Sequence, residues 1–362
     1  AYLTTNHVGA IINRQNANPL IINGDMAVDQ RNAGASVTAV NNAYQVDRWK
    51  TFSGAASKFT VQQQTSVVPP FFRNAQKITS SSAYSAGAGE AFALNTPIEG
   101  GNIANLGFGT ANAKYVTLSF LVYSSLTGTF SGSLFNSAFN RSYPFTYSVG
   151  SANTWTKIVV AIPGDTSGTW LTTTGTGLTV NFDIGSGSNW KGSADAWGSA
   201  GYTGVASSVS IVGTSGATFY VTGVQLEVGE YDATTIPPFQ HESFGDTLKR
   251  CERYFCKSYN YGVAPGTNAS SDVNAKRGAV FVYRQRDTNN VGFSFFHPSE
   301  MRTNPTMTNY SHDGTSGKFT SSTTTTTIST NAALNGTRLS MAYGTGSAAD
   351  DNYAHFVCEA EL

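Results

Sequence analysis

The fold class follows from residues 115–123, which read YVTLSFLVY. Within this stretch, Val116, Leu118, Phe120 and Val122 fall at every second position. Because successive side chains of an extended chain point to opposite faces, these four apolar side chains share one face. The pattern predicts a β-strand with one face turned toward a core.

Similar short runs recur along the chain and are separated by Gly, Asn, Pro and Ser. The runs predicted as strands are residues 20–22, 155–163, 178–184, 209–212, 219–227, 278–283, 291–296, 338–343 and 354–360. The Ser and Thr run at 321–327 is also predicted as a strand, with a loop as the alternative, because threonine suits a pleated surface. Many short strands without interleaved helices indicate an all-β fold, a jelly-roll β-sandwich followed by a second, smaller β-sandwich.

One short helix is predicted where the strand pattern stops. Ser243 is a suitable N-cap residue, and apolar side chains follow it at helical spacing at Phe244, Leu248, Cys251 and Phe255. Two prolines before it, in residues 236–239, restrict the backbone to an extended connector. The helix and connector therefore separate two β domains.

Four segments result from this division of the chain. Residues 1–20 are predicted as an N-terminal arm that docks on a partner, with a fraying tail as the alternative. Residues 21–235 form the jelly-roll domain and residues 236–256 the connector with the short helix. Residues 257–362 form the C-terminal β-sandwich domain.

The charge composition excludes several classes of partner. The 362 residues carry 22 basic and 22 acidic side chains, and charged residues make up only 12% of the chain. A chain of zero net charge does not bind nucleic acid or anionic lipid by bulk electrostatics. No window reaches the roughly 20 apolar residues of a membrane helix, and no signal peptide is recognisable, so synthesis in a cytoplasm is expected. Polar β chains of low charge are common among adhesins, lectin-like modules and virion surface proteins.

Three sequence fragments carry a family resemblance. The first is INGDMAVDQRN at 22–32 with VDRW at 46–49, and the second is VQLEVG at 224–229 with PFQHE at 238–242. The third is LKRCERYF at 248–255, followed by PSEMRTNPT at 298–306 and the terminal EAEL at 359–362. In this order the fragments resemble a family of bacteriophage virion proteins that occur in tail fibres and related appendages.

The resemblance implies a domain similar to carbohydrate-binding modules and a smaller C-terminal β domain. It also implies a homotrimer on the virion surface that contacts other tail, baseplate or capsid proteins. The arm at residues 1–20 would then attach to the virion or contact a subunit. Many relatives carry a long shaft before the jelly roll, whereas about 20 residues precede it here. A compact knob, a baseplate appendage or a head decoration is therefore expected in place of a long fibre.

No catalytic motif stands out, and no cofactor is expected. The five histidines lie far apart in the sequence and match no metal-ligand spacing such as HExxH: His7, His241, His297, His312 and His355. There is no GxSxG nucleophile elbow and no repeat of the kind found in polysaccharide-cleaving tailspikes. The sequence therefore predicts a protein that is not an enzyme.

Sugar binding needs an aromatic face for stacking and polar side chains for the hydroxyl groups. The candidates lie in Gly- and Ser-rich sequence and are Trp170, Asn189, Trp190, Lys191, Asp195 and Trp197. The alternative is that these tryptophans plug the ends of the sandwich or bury against a neighbouring subunit. Trp49 and Trp155 lie in strand-like sequence and are predicted in the core.

Metal and thiol chemistry give weaker signals. Asp25, Asp29 and Asp47 are close enough in sequence to form a calcium site, although hydrogen bonding within turns is the alternative for each. No other metal site is predicted. Of the three cysteines, Cys251 and Cys358 fall in apolar patterns, so buried free thiols are expected, with a Cys256–Cys358 disulfide as the alternative.

These observations predict a trimeric tail-fibre or appendage adhesin on the virion surface, contacting a host-cell glycan. A head decoration or head-fibre protein bound to the capsid is the second candidate. A polysaccharide-degrading enzyme is the third.

Overall fold

The computed structural model of the protein describes residues 18–268, 279–281, 283–284, 290–321, 324–327, 329–345 and 352–362. Most of the predicted N-terminal arm, residues 1–17, lies outside the described residues. The chain is all-β and forms two compact units. The predicted fold class is therefore confirmed.

Twenty-four strands and two short α-helices are found in the described residues, together with 3-10 turns at Ala104–Leu106 and Ser188–Trp190. The helices are α1 (Gly100–Ile103) and α2 (Phe244–Glu252). The strands are β1 (Val37–Thr38), β2 (Ala43–Val46), β3 (Trp49–Ser53), β4 (Phe59–Gln64), β5 (Ala75–Ser80), β6 (Phe92–Glu99), β7 (Val116–Ser124), β8 (Gly128–Phe135), β9 (Ser142–Val149), β10 (Thr156–Ile162), β11 (Thr176–Asp183), β12 (Lys191–Gly192), β13 (Gly204–Val205), β14 (Thr218–Val228), β15 (Phe255–Lys257), β16 (Val280–Phe281), β17 (Tyr283–Arg284), β18 (Asn290–Phe296), β19 (Thr306–Tyr310), β20 (Lys318–Ser321), β21 (Thr324–Thr327), β22 (Ser329–Asn335), β23 (Leu339–Thr345) and β24 (Asn352–Glu359).

The first unit comprises the residues up to Ala27, Gly34–Ser243 and Leu362. It contains two six-stranded antiparallel sheets, one in the order β1-β4-β5-β14-β7-β10 and the other in the order β2-β3-β6-β11-β8-β9. The four alternating apolar side chains of β7 are all at most 1% exposed, as the sequence predicted. The sheets face each other, because the ring of Phe120 on β7 lies 4.9 Å from that of Phe182 on β11.

The second unit comprises Val28–Ala33 and Phe244–Glu361. One sheet has the order β15-β24-β20-β21, with β16 and β19 also paired to β24, and a second sheet has the order β17-β18-β23-β22. The short segment Val28–Ala33 is held in this unit by Arg31, which pairs with Glu359 at 2.7 Å and with Glu361 at 2.9 Å. Sequence patterns did not anticipate this segment, because it has no strand or helix periodicity.

Some local predictions are corrected. Residues 20–22 and 209–212 are turns or irregular chain, although Ile211 and Val212 are buried in the core. The helix ends at Glu252, so Phe255 belongs to strand β15, and Phe244 is 46% exposed. The Thr run is confirmed as a strand at Thr324–Thr327, which pairs with β20.

Long apolar helices are not found in the part of the chain that the structure describes. None of its helices has the length and hydropathy that crossing a bilayer requires.

Candidate glycan-binding site

Three loops of the first unit meet at one end of its sandwich. They follow β5, β11 and β13, and they span residues 81–91, 184–190 and 206–217. The strand ends that carry them are neighbours in the sheets, because Thr79 pairs with Thr218 and Ala93 pairs with Asp183. The strand register therefore brings together loops that are far apart in sequence.

A cavity of about 380 Å³ lies between these loops, and we call it the end cleft. Its volume is within the roughly 300–1,000 Å³ of small-molecule sites. One aromatic ring and one cationic side chain line it, and the rest of the wall consists of small residues, many with hydroxyl groups. The lining residues are Tyr84, Ser85, Ala86, Gly185, Ser186, Gly187, Ser188, Lys191, Ala206, Ser208, Ser210 and Gly213.

The Lys191 side chain, which lines the cleft, belongs to a buried ion pair. The Lys191 ammonium contacts Asp183 Oδ2, and the two side chains are 10% and 0% exposed. Ser208 Oγ lies 3.2 Å from both the Lys191 Nζ and Asp183 Oδ2. The other Asp183 oxygen accepts from the Ser186 amide at 3.0 Å. Lys191 is thus fixed in position, and its charge is balanced by Asp183.

Hydrogen bonds join the three loops to one another. Trp190 Nε1 donates to the Gly89 carbonyl at 2.9 Å. Backbone bonds complete the connections, and they are Asn189 to Ala88 at 3.0 Å, Gly187 to Glu90 at 2.8 Å, Tyr84 to Val212 at 2.9 Å and Val212 to Ile184 at 3.1 Å. A site whose loops are already bonded to one another loses little conformational entropy when a ligand binds.

Tyr84 supplies the aromatic surface of the cleft. Its hydroxyl donates to the Glu90 carboxylate, with distances of 2.9 and 2.8 Å to the two oxygens. This hydrogen bond is the main reason that the pKa of the Tyr84 phenol is raised. The Lys58 ammonium lies 4.2 Å from the ring centroid, and the Phe92 ring lies edge-on at 5.7 Å. The ring is therefore held in one orientation.

The predicted site residues separate into two groups in the structure. Lys191 lines the end cleft, and Asn189 and Trp190 belong to the loop that forms one of its walls. Asp195 lies elsewhere, with its amide bonded to the Pro144 carbonyl at 2.8 Å. Tyr84, Asp183 and Ser208 were missed by sequence reasoning. The Gly-Ser run at 185–188, directly after a strand, was the available signal for this end of the sheet.

Trp170 and Trp197 lie at the opposite end of the sandwich, with Phe108 and Tyr143, and we call these four residues the tryptophan cluster. The two indole rings are 5.4 Å apart, and each is edge-on to Phe108. Trp170 is only 7% exposed, and its Nε1 donates to the Ser167 carbonyl at 3.1 Å. Trp197 Nε1 donates to the Pro163 carbonyl at 2.7 Å. This placement favours the alternative that these tryptophans plug the end of the sandwich.

A second aromatic group lies on the outer face of the first sheet, and we call it the sheet-face row. It contains Tyr123, Trp155 and Tyr220, with ring centroids 5.0 to 6.4 Å apart, and the Lys77 ammonium lies 5.7 Å from the Tyr220 ring. Trp49 is fully buried as predicted, whereas Trp155 is half-buried on this outer face. Unlike the end cleft, the row lies on a sheet surface.

The aspartates proposed for calcium do not form a ligand group. The group of at least three potential metal ligands that the described residues bring together is Cys256, His297 and Cys358. Asp29 instead holds a turn, since its Oδ1 accepts from the Asn32 amide at 2.9 Å. Burial raises the pKa of Asp25.

The three cysteine thiols are buried, as expected. The pKa of Cys256 is raised by a hydrogen bond with Cys358 and by burial. The convergence of Cys256, His297 and Cys358 was missed because their sequence spacing matches no metal-binding motif.

No protein-family model and no curated protein sequence matches this chain. Solved structures similar to it are carbohydrate-binding modules and a phage tailspike domain. The enzymatically active domain of bacteriophage CBA120 tailspike protein 4 is 11% identical with a TM-score of 0.32, over 58% of this chain and 21% of that chain. The family 11 carbohydrate-binding module of Clostridium thermocellum, in complex with a mixed-linked tetrasaccharide, is 11% identical with a TM-score of 0.28, over 54% and 97% of the two chains. TmCBM61 with β-1,4-galactotriose is 9% identical with a TM-score of 0.30, over 59% and 99%. Similarities this weak do not assign a function.

Proposed function

We propose that the first unit binds a glycan in the end cleft. The observation that carries this proposal is a preformed cavity of about 380 Å³ that combines five serines with small apolar residues, one fixed tyrosine ring and one fixed lysine ammonium. Serine hydroxyls both donate and accept hydrogen bonds, as sugar hydroxyls do. A tyrosine ring offers an apolar surface to the C–H groups of a sugar.

A neutral sugar suits this cleft better than an anion. The Lys191 charge is balanced by the buried Asp183 carboxylate, so the ammonium acts as a hydrogen-bond donor to a ligand hydroxyl. Because the Lys191–Asp183 pair is neutral overall, it gives an anionic ligand little electrostatic advantage over a neutral sugar. The zero net charge of the chain is consistent with a neutral ligand.

The glycan is proposed to belong to a host-cell surface, and the protein to be a homotrimeric tail-fibre or appendage adhesin of a bacteriophage virion. The support for this part is the resemblance of the three sequence fragments to phage virion proteins. Three copies of a weak site gain avidity on a surface that displays many copies of the ligand. Avidity offsets the low affinity expected of a small, hydroxyl-lined cleft.

The protein is proposed to bind glycan without cleaving it. Both carboxylates next to the cleft already accept hydrogen bonds from the protein. Asp183 accepts from Lys191 and Ser186, and Glu90 accepts from Tyr84 and from the Gly87 amide at 2.7 Å. Glycoside hydrolysis needs a pair of carboxyl groups free to act on the substrate.

A glycan array probed with the purified full chain tests this function. The best array glycan is then titrated into Ser188→Trp, which fills the cleft at an exposed position, and into the matched control Thr172→Trp, an exposed position at the opposite end. We expect at least about tenfold weaker binding, or about 1.4 kcal/mol, for Ser188→Trp alone. The oligomeric state is measured on the same sample.

Other outcomes would assign the glycan site to a different surface or contradict the proposal. If Trp155→Ala abolishes binding and Ser188→Trp does not, the sheet-face row is the site. If no array glycan binds a folded trimer, the glycan-binding proposal fails. Release of new reducing ends from the bound glycan would contradict the non-enzymatic proposal.

A further inference from the structure

Two thiols and one imidazole converge inside the second unit, and none of them belongs to the proposed glycan site. Cys256 on β15 and Cys358 on β24 are directly opposed partners on neighbouring antiparallel strands. His297 follows the end of β18. The two Sγ atoms and one imidazole nitrogen lie within 4.8 Å of one another, and the three residues are 1%, 0% and 9% exposed.

The distance between two of these ligand atoms matches that in a metal coordination shell. In a tetrahedral zinc site, bonds of about 2.3 Å to sulfur and 2.0–2.1 Å to nitrogen place ligand atoms roughly 3.5 to 3.8 Å apart. The distance between Cys256 Sγ and His297 Nδ1 is 3.7 Å. This pair of ligands therefore needs no rearrangement to share one ion.

The imidazole of His297 is held by a second partner on its far side. Its Nε2 lies 3.0 Å from the Oγ of Ser340, which is fully buried on β23. When Nε2–H donates to Ser340, the lone pair of Nδ1 points toward the thiols. Metal-binding histidines in proteins are oriented by an outer hydrogen bond of this kind.

The thioether sulfur of Met301 lies next to one of the three ligands, Cys256. The Met301 Sδ is 4.0 Å from Cys256 Sγ, and Met301 is 1% exposed. The surrounding side chains are apolar and include Phe293, Phe319 and Phe356. An apolar shell of this kind excludes water from a metal–thiolate bond.

We propose that Cys256, His297 and Cys358 bind a thiophilic d¹⁰ cation, Zn²⁺ or Cu⁺, with Met301 next to the fourth coordination position. Two thiolates, an imidazole and a nearby thioether are the donors that select these ions over hard cations such as Mg²⁺ and Ca²⁺. The site is closed to solvent, so its role is structural and not catalytic. It links β15, β24 and the chain after β18.

Elemental analysis of the purified full chain tests this site first. The protein is expressed with both zinc and copper in the medium and purified without a metal-affinity step. We expect about one zinc or one copper per chain, and the element found distinguishes the two ions. Removal of the ion with a chelator under reducing conditions should lower the thermal stability of the chain, and Zn²⁺ or Cu⁺ should restore it.

Cobalt substitution gives a readout that does not depend on any variant. Co²⁺ added to the metal-free protein should saturate at one equivalent, with a thiolate-to-cobalt charge-transfer band and the visible bands of a tetrahedral centre. Less than about a tenth of an equivalent of metal together with no charge-transfer band would overturn the proposal. Three reactive thiols in denaturant support it, whereas one reactive thiol would indicate a Cys256–Cys358 disulfide and overturn it.

The chain offers a matched control for the cysteine variants. Cys251 is also a fully buried thiol of the second unit but lies on α2, outside the ligand group. Cys358→Ser and His297→Phe should each lower metal occupancy at least about tenfold, whereas Cys251→Ser should keep about one ion per chain. Unchanged occupancy in both Cys358→Ser and His297→Phe would show adventitious metal and overturn the site.

Discussion

The two ends of the first sandwich carry the same residue type in opposite surroundings. At one end, Trp190 lies on a loop of the end cleft, and its indole N–H is bonded to an exposed carbonyl. At the other end, Trp170 and Trp197 pack against Phe108 and close the core. A tryptophan in a Gly- and Ser-rich loop therefore does not by itself mark a ligand site.

The difference comes from what each set of loops brings to the strand ends. The cleft loops contribute serines and glycines around one buried ion pair, so a polar cavity remains between them. The loops at the tryptophan cluster contribute large rings, and a bidentate pair between Arg141 and Asp165, at 2.6 and 2.7 Å, lies beside them. One end thus retains a polar cavity, whereas the other is filled by aromatic packing.

The largest effect is expected at the tryptophan cluster. Trp170→Ala should lower the free energy of unfolding by about 3–5 kcal/mol, because it leaves a large cavity in the core. Glycan affinity should stay unchanged in the folded protein. The neighbouring Leu171, which is 38% exposed, provides the control, and Leu171→Ala should cost less than about 1 kcal/mol. Chemical denaturation measures both. If Trp170→Ala loses glycan affinity and keeps its stability, the ligand site lies at the tryptophan cluster and this assignment is wrong.

The ion pair at the same end should have the next largest effect. Arg141→Met leaves the Asp165 carboxylate, whose side chain is 2% exposed, without its cation. We expect a loss of about 2–3 kcal/mol, less than for a fully buried pair because Arg141 is 17% exposed. The double variant Arg141→Met/Asp165→Leu should recover much of this loss in the same denaturation assay. Failure to recover would mean that Arg141 acts through packing.

A pair of matched tryptophan variants separates the two ends directly. Trp190→Ala should weaken glycan binding about tenfold and cost less than about 1 kcal/mol of stability, because its ring lies on a surface loop and not against the core cluster that Trp197 contacts. Trp197→Ala should instead lower stability by about 2 kcal/mol, because its partly buried ring packs against the core, and leave glycan affinity unchanged. Calorimetric titration and denaturation of both variants check this. Equal effects of the two substitutions on affinity would contradict the separation of roles.

The smallest effect concerns pH. Glu90 raises the pKa of the Tyr84 phenol above its ordinary value near 10, so the phenol stays protonated in neutral and mildly alkaline solution. A group whose pKa is raised by folding stabilises the folded protein fully at pH values below its unfolded-state pKa. The Tyr84–Glu90 hydrogen bond is therefore retained in neutral and mildly alkaline solution. Glycan affinity should therefore be equal at pH 7 and about pH 9. A fall in the wild type that is absent in Tyr84→Phe would show that the phenol ionises in this range.

Strand periodicity predicted the fold well where one face of the strand is buried. The alternation in β7 gave both the strand and its core face, because burial imposes that alternation on the sequence. Residues 209–212 were wrongly predicted as a strand, since Ile211 and Val212 are buried from irregular chain. An apolar run reports burial more reliably than it reports backbone conformation.

The candidate site was only partly predictable. The loop at 189–191 was identified from its composition, but strand register brings Tyr84 into the end cleft and places Asp183 beside Lys191, and the sequence does not state that register. The Cys256, His297 and Cys358 group was missed for the same reason, because β15, β24 and the end of β18 meet only after long-range pairing. Contacts between distant strands are set by the fold as a whole and leave no local pattern.

Hydrogen–deuterium exchange of the full chain, with and without the best array glycan, tests the central claim most directly. We predict slower exchange of backbone amides in residues 84–90, 185–191 and 206–213, the three loops of the end cleft. Residues 163–175, the segment that carries Trp170, should exchange at the same rate in both samples. Protection confined to residues 163–175, with none in the cleft loops, would contradict the assignment of the ligand site.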